Sequence, residues 1–387
     1  MKRLSGPVIT LATIVVMLVV TEWTLARVLP FSDPFARFKV EDRGSAYVPS
    51  AHQPNSSLRI VAEEGLPGVE GSSLFSTNNL GFRGPDLTQP KPPGEYRIVM
   101  VGGSTTECMM IGDGVAPDRI LQDTLTATLP GRTVRVYNAG KAGDKSYDHI
   151  ALLAHRIVHL QPDMITVFAG VNDLRAAMQG ADYLFMQEGT ATKYALNTLL
   201  KFAATEFQIP RRMYAAMHRI EGKTERERLE QIQVVTDYRE KAALKNGRPV
   251  SDAMPRTDLS PYRDNLLTLA GIARVHGIQL VLVTQASTWN SAVDPRVVDW
   301  HWFTYVGGVL YREDLLDRAL ESYNGVMRTV ATETDVPVFD LARTVPKSLE
   351  FFYDDVHFNV KGAALFGARL AELIVARGLI RSPTPRP

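Results

Sequence analysis

Apolar runs that do not alternate, each closed by a turn and followed by a helical pattern, constrain this chain more than any other feature. Tyr96–Val101 (YRIVMV), Met164–Ala169 (MITVFA) and Gln279–Thr284 (QLVLVT) are such runs. A strand with alternating polarity keeps one wet face, whereas a continuous apolar run must be covered on both. Helical patterns lie between and after them, at Pro117–Leu129, Ser146–Leu160, Ser260–His276, Glu313–Glu333 and Val360–Arg377. Within Ser146–Leu160, the residues Ile150, Leu153, Ile157 and Leu160 are spaced for one face. Shorter strands are expected at Thr133–Tyr137 and Val336–Asp340. Strands separated by helices imply right-handed crossovers. The expected fold is therefore α/β, a three-layer α/β/α sandwich around a parallel central sheet.

Two other segments flank or interrupt this pattern. Lys2 and Arg3 precede an uncharged run, Pro7–Val20, and Glu22, Trp23 and Arg27 follow it. A basic end before an apolar run is the pattern of a signal anchor, with the basic end held in the cytoplasm. The expectation is an N-terminal transmembrane segment over residues 1–30, with the bulk of the chain extracytoplasmic. A cleaved signal peptide and a buried core helix are the other readings of the same run. Residues 31–94 are rich in Pro, Gly, Ser and Asn and read as a spacer and edge segment, turn-rich at Asn78–Pro85. The main domain is expected over residues 95–387, with a helical insertion at about 175–258. In the insertion Tyr194–Phe207, Arg211–Ile220 and the charged Thr224–Lys245 read as helices.

Charge and cysteine content exclude several classes. A formal net charge of +1 leaves no electrostatic footprint for nucleic acid. The single cysteine, Cys108, rules out an intrachain disulfide and a Cys-x-x-Cys metal knuckle. His155 and His159 are spaced i, i+4, but no third ligand is evident, so no metal is expected.

The chemistry-bearing residues fall just past the strand ends, where sites in such sheets form. Gly102-Gly103-Ser104-Thr105 follows the first long strand, and the glycines tolerate the tight turn that exposes the serine. Gly170-Val171-Asn172-Asp173 follows another strand, and Asp354-Asp355-Val356-His357 lies near the C-terminus. A serine hydroxyl needs a base, a group that orients the base, and donors for the developing oxyanion. His357 can be the base and Asp354 its orienting carboxylate, while Asp355 points elsewhere. The Asn172 amide and the backbone N–H groups of Ser104 and the Asn138–Asp144 loop can be the oxyanion donors. Trp289, Trp300, Trp302 and Phe303 can line a substrate groove or pack on their own domain.

Taken together, these blocks resemble the SGNH hydrolase superfamily, also called GDSL-type esterases and lipases, in a membrane-anchored bacterial form. Gly102-Gly103-Ser104 resembles its first block, where an aspartate usually stands at the position of Gly103. Asn138-Ala139-Gly140-Lys141-Ala142-Gly143-Asp144 is similar to its second block, which puts Gly143, rather than Gly140, at the oxyanion glycine. Gly170-Val171-Asn172-Asp173 matches the third block and Asp354-x-x-His357 the last. The resemblance covers roughly Glu95 to Arg377 without the insertion. It implies a serine esterase with catalytic Ser104, Asp354 and His357, an oxyanion hole of Ser104, Gly143 and Asn172, and no cofactor. The expected substrate is a carboxylic ester, such as an O-acetyl group of an envelope glycan or an acyl lipid. The expected location is the cytoplasmic membrane, single-pass, with the catalytic domain in the periplasm. An O-acyltransferase using the same triad on an envelope polysaccharide, or a non-catalytic envelope scaffold, are the alternatives.

Overall fold

Burial along its whole length makes Glu95–Gly102 a central strand, and Met164–Phe168 beside it is likewise buried at every residue. The computed structural model describes residues 6–31, 52, 54–180, 199, 202–204, 206–217, 233–235, 238–255 and 257–380. Five parallel strands form the central sheet, in the order Val338–Phe339, Gln279–Val283, Met164–Phe168, Glu95–Gly102, Thr133–Asn138. Side chains alternate across it. Val99, Val101, Ile165, Val167, Leu280 and Leu282 join one core with Leu152, Leu266 and Tyr323, from three helices on that face. On the other face Phe168 meets Phe366 edge-on at 5.4 Å, which seats the C-terminal helix Val360–Ala376 there. The fold is the expected α/β/α arrangement around a parallel sheet.

Register brings the site together. Gly102 pairs with Phe168, and Phe168 with Val283, so three neighbouring strands end level at one edge. Gly102, Gly103 and Ser104 leave that edge beside Gly170 and Asn172.

The expected spacer contributes structure as well as turns. Ser57–Val61 and Ser72–Ser76 pair antiparallel. Arg83, in the Asn78–Pro85 turn, bridges to Asn138 at the end of the sheet's edge strand. That segment meets the sheet's edge strand at this isolated bridge.

Two expectations need correction. The helix from Ser146 ends at His155 and is followed by a 3₁₀ turn, Ile157–Leu160. Arg156 leaves helical geometry between them, with its guanidinium 4.7 Å from the Phe82 ring centre and donating to the Leu80 carbonyl. His155 and His159 accordingly do not share one continuous helix. The second correction falls in the expected helix Thr224–Lys245: Gln233–Val235 is a strand, parallel to Arg59–Val61, and among the described residues of that span the helix is Tyr238–Ala243. The β-branched pair Val234 and Val235 suits a strand, and the open edge of Ser57–Val61 supplies its partner. Thr224–Ile232 and most of Tyr194–Phe207 lie outside the described residues.

The chain divides into two units, one of Met1–Lys39 with Asp182–Ile232 and one of Val40–Ala181 with Gln233–Pro387. In the first, the helix Gly6–Val28 is long and apolar enough to cross a membrane. Its Glu22 carboxylate accepts from the N–H groups of Gln208 and Ile209, so the acid caps the helix Gln208–Met217. The second unit holds the sheet and the residues that follow.

Candidate active site

Ser104 opens a single helical turn, Ser104–Glu107, with Gly103 as its N-cap and Cys108 in the left-handed region closing it. Gly102 has no room for a side chain: a Cβ there would lie 2.0 Å from Thr106 Oγ1 and 2.7 Å from the Phe168 carbonyl. The short turn leaves Ser104 partly exposed while its neighbours are buried.

His357 arrives from the other end of the chain. A bridge between Phe352 and Phe358 and a bond from Tyr353 N to the His357 carbonyl (3.0 Å) make Tyr353–His357 a tight loop. Asp354 Oδ1 accepts the N–H groups of Val356 (2.9 Å) and His357 (2.8 Å), which shapes that loop without a helix. His357 Nδ1 lies 2.7 Å from Asp354 Oδ2, and His357 Nε2 lies 2.8 Å from Ser104 Oγ. Burial works to raise the Asp354 carboxyl, but the His357 charge and the bonds from His357 and Val356 outweigh it and hold the group below its usual range.

The adjacent Asp355 turns away, as expected. It accepts from Trp289 Nε1 (2.9 Å) and from the N–H groups of Trp302 (2.6 Å) and Phe303 (3.1 Å). The aromatic segment is thereby pinned under the site. Trp289 and Phe303 are buried in the domain, whereas Trp300 and Trp302 remain partly exposed. Trp302 Nε1 also donates to Asp354 Oδ2 (2.9 Å), and its ring lies within 6° of parallel to His357.

Beside Ser104, the Lys141–Asp144 turn is closed by Asp144 N donating to the Lys141 carbonyl (3.2 Å), with Gly143 at φ +88°. That positive φ at the third position suits glycine. Among the described residues the Gly143 N–H has no partner. Gly140 differs: its N–H donates to Asn138 Oδ1 (2.9 Å), and a Cβ would meet Glu107 N at 2.5 Å. Asn172 donates one amide hydrogen to the Asp144 carbonyl (2.9 Å), leaving the second without a partner among the described residues. A second bond ties the same two segments: Ser146 Oγ donates to Asp173 Oδ1 (2.5 Å). Burial and the nearby Asp148 push Asp144 up to about 7, and burial pushes Asp173 up to about 6 against the Ser146 hydrogen bonds.

Sequence reading missed two contributors. Arg83 is buried and donates to the carbonyls of Glu107 (2.9 Å), Cys108 (2.8 Å) and Ile111 (2.7 Å), bracing the chain just after Ser104. An arginine inside a Gly-Phe-Arg-Gly turn was the available signal. Trp302 is the other, and nothing in its sequence position tied it to Asp354. Cys108 is a structural thiol: burial pushes it up to about 12, and its Sγ donates to the Thr105 carbonyl. Among the described residues no His, Cys, Asp and Glu group is arranged to hold a metal ion.

Residues 100–365 match the GDSL-like Lipase/Acylhydrolase family, a span that contains Ser104, Gly143, Asn172, Asp354 and His357. No curated protein matches the chain. Among solved structures it is similar to Axe2, an acetylxylan esterase from Geobacillus stearothermophilus, at 15% identity and TM-score 0.41, covering 72% of this chain and 94% of that one. It is also similar to LAE5, an alpha/beta hydrolase from the metagenome of Lake Arreo, Spain, at 15% identity and TM-score 0.42, covering 74% and 97%. With the family match running through more than half its length, the chain belongs to the GDSL-like lipase/acylhydrolases and is an SGNH-type serine hydrolase acting on esters.

Proposed function

We propose that Ser104, His357 and Asp354 act as the nucleophile, base and orienting acid of an esterase. The observation that carries this reading is the unbroken relay from Ser104 Oγ to His357 Nε2 (2.8 Å) and from Nδ1 to Asp354 Oδ2 (2.7 Å). His357 takes the Ser104 proton as Oγ attacks the ester carbonyl. The oxyanion is received by the second Asn172 amide hydrogen and the N–H groups of Ser104 and Gly143. Gly143 is preferred over Gly140 because its N–H is uncommitted among the described residues. His357 then protonates the leaving alcohol, and water activated by the same imidazole releases the acyl group.

The apolar helix Gly6–Val28 supports a single-pass anchor with the catalytic unit on the periplasmic side. That location favours acyl esters of the cell envelope, O-acetyl groups of glycans or acyl lipids, as substrates. The test is turnover by the full chain in detergent of aryl esters from acetyl to long acyl. Preference for acetyl supports a deacetylase of glycans and preference for long chains a lipase. Absence of turnover throughout, together with failure of a fluorophosphonate to label Ser104, would refute the esterase reading.

A further inference from the structure

Two cations stand beside this relay without a part in the mechanism. Arg175 lies three residues past Asn172 on the helix Val171–Met178, so both side chains share a face. Its guanidinium is 5.0 Å from the Trp302 ring centre and 4.5 Å from that of Phe303. Lys241, on Tyr238–Ala243, brings its ammonium within 5.4 Å of the same Trp302 ring and 4.9 Å of Tyr238. Trp302 is the ring parallel to His357 and the donor to Asp354. Both cations are thus one ring away from the catalytic imidazole.

Neither cation forms a hydrogen bond or ion pair among the described residues. Neighbouring cations do. Arg239 pairs with Glu63 (3.2 Å), and Lys245 donates to the His301 carbonyl (2.7 Å), so those two have structural partners. Asp355 acts on Arg175 through space, but its oxygens already serve Trp289, Trp302 and Phe303. Burial pushes the Arg175 guanidinium down, the mark of a charge whose desolvation is not offset by a direct partner. An arginine with open donors fixed over two rings is preorganised for a planar oxyanion, which its fork meets with two parallel bonds.

We infer that Arg175 and Lys241 form an anion subsite beside Trp302 that holds a carboxylate or phosphate carried by the ester substrate. This rests on the esterase reading and adds the charge of the substrate to it. A bound anion there would fix the ester relative to Ser104 and show mainly in KM.

The full chain in detergent is assayed on two matched pairs of acetyl esters. One pair is an O-acetylated oligogalacturonide and its neutral methyl-esterified form; the other is acetylglycerol phosphate and acetylglycerol. The expected result is a preference of about tenfold or more in kcat/KM for the anionic member of one pair, as charged hydrogen bonds provide. Which pair shows it separates carboxylate from phosphate. The preference should shrink with added salt and vanish in the Arg175→Gln/Lys241→Gln double variant. If that variant melts early, Arg175→Lys, which keeps the charge but loses the fork, should show a reduced preference. Equal turnover within both pairs, or a preference surviving in the double variant, overturns the subsite. Failure to turn over any of the four esters, with no fluorophosphonate uptake at Ser104, overturns the esterase reading itself.

Discussion

Trp302 Nε1 sits 2.9 Å from Asp354 Oδ2, the same oxygen that receives His357 Nδ1. Asp354 is fully buried, so this indole is one of few groups able to steady it. Trp302→Phe keeps an aromatic ring and removes the donor. The expected outcome is a fall in kcat of about 3–10-fold, in line with one hydrogen bond to a charged group. Steady-state kinetics on both proteins check it.

Gly103 and Asn172 are in steric register: a Cβ on Gly103 would lie 2.4 Å from Asn172 Nδ2. Asn172 is held by its bond to the Asp144 carbonyl and cannot retreat without losing it. Gly103→Ala should therefore lower kcat by about 10²-fold, the usual cost of one oxyanion donor, with KM little changed. Gly103→Asp, which restores the residue common in the first block, should do no better. Steady-state kinetics on an aryl acetate measure both.

Arg83 is buried against the carbonyls of Glu107, Cys108 and Ile111. Arg83→Met fills much of the volume but strands the Glu107 and Ile111 carbonyls, while that of Cys108 keeps the Ile111 N–H. The melting midpoint of the catalytic unit should fall markedly, reflecting about 3 kcal/mol or more. Differential scanning of the full chain in detergent reads it.

Asp144 and Asp173 are raised by burial to about 7 and about 6 from an ordinary 3.8. In the window between 3.8 and these values the folded chain binds more protons than the unfolded one. Their contribution to stability is fully present below the ordinary value and is lost as pH rises through about 6 to about 7. Melting midpoints should consequently fall between roughly pH 4 and pH 7 and level off above, and Asp144→Asn should flatten that slope. Asp354, held low, loses its contribution only at more acid pH and does not mask the effect.

Much of this was legible in the residues because it is local. Continuous burial of YRIVMV and MITVFA read directly as central strands, and Gly-Gly-Ser and Gly-Val-Asn-Asp marked the turns beyond them. Asp354 and His357 are three apart, so their pairing needed no tertiary knowledge. What escaped depends on long-range contact. Gln233–Val235 becomes a strand only because Arg59–Val61 offers an edge. Arg156 breaks a helix to reach Phe82 and Leu80. The Trp302 donor and the Arg83 brace link segments that no spacing rule connects.

The central claim is that His357 activates Ser104. The most direct measurement is the rate at which a fluorophosphonate labels the full chain, with the adduct mapped by mass spectrometry. One adduct per chain at Ser104 is expected, with none in Ser104→Ala and a rate lowered by about 10³-fold or more in His357→Ala. An adduct on another residue, or labelling as fast without His357 as with it, would contradict the account.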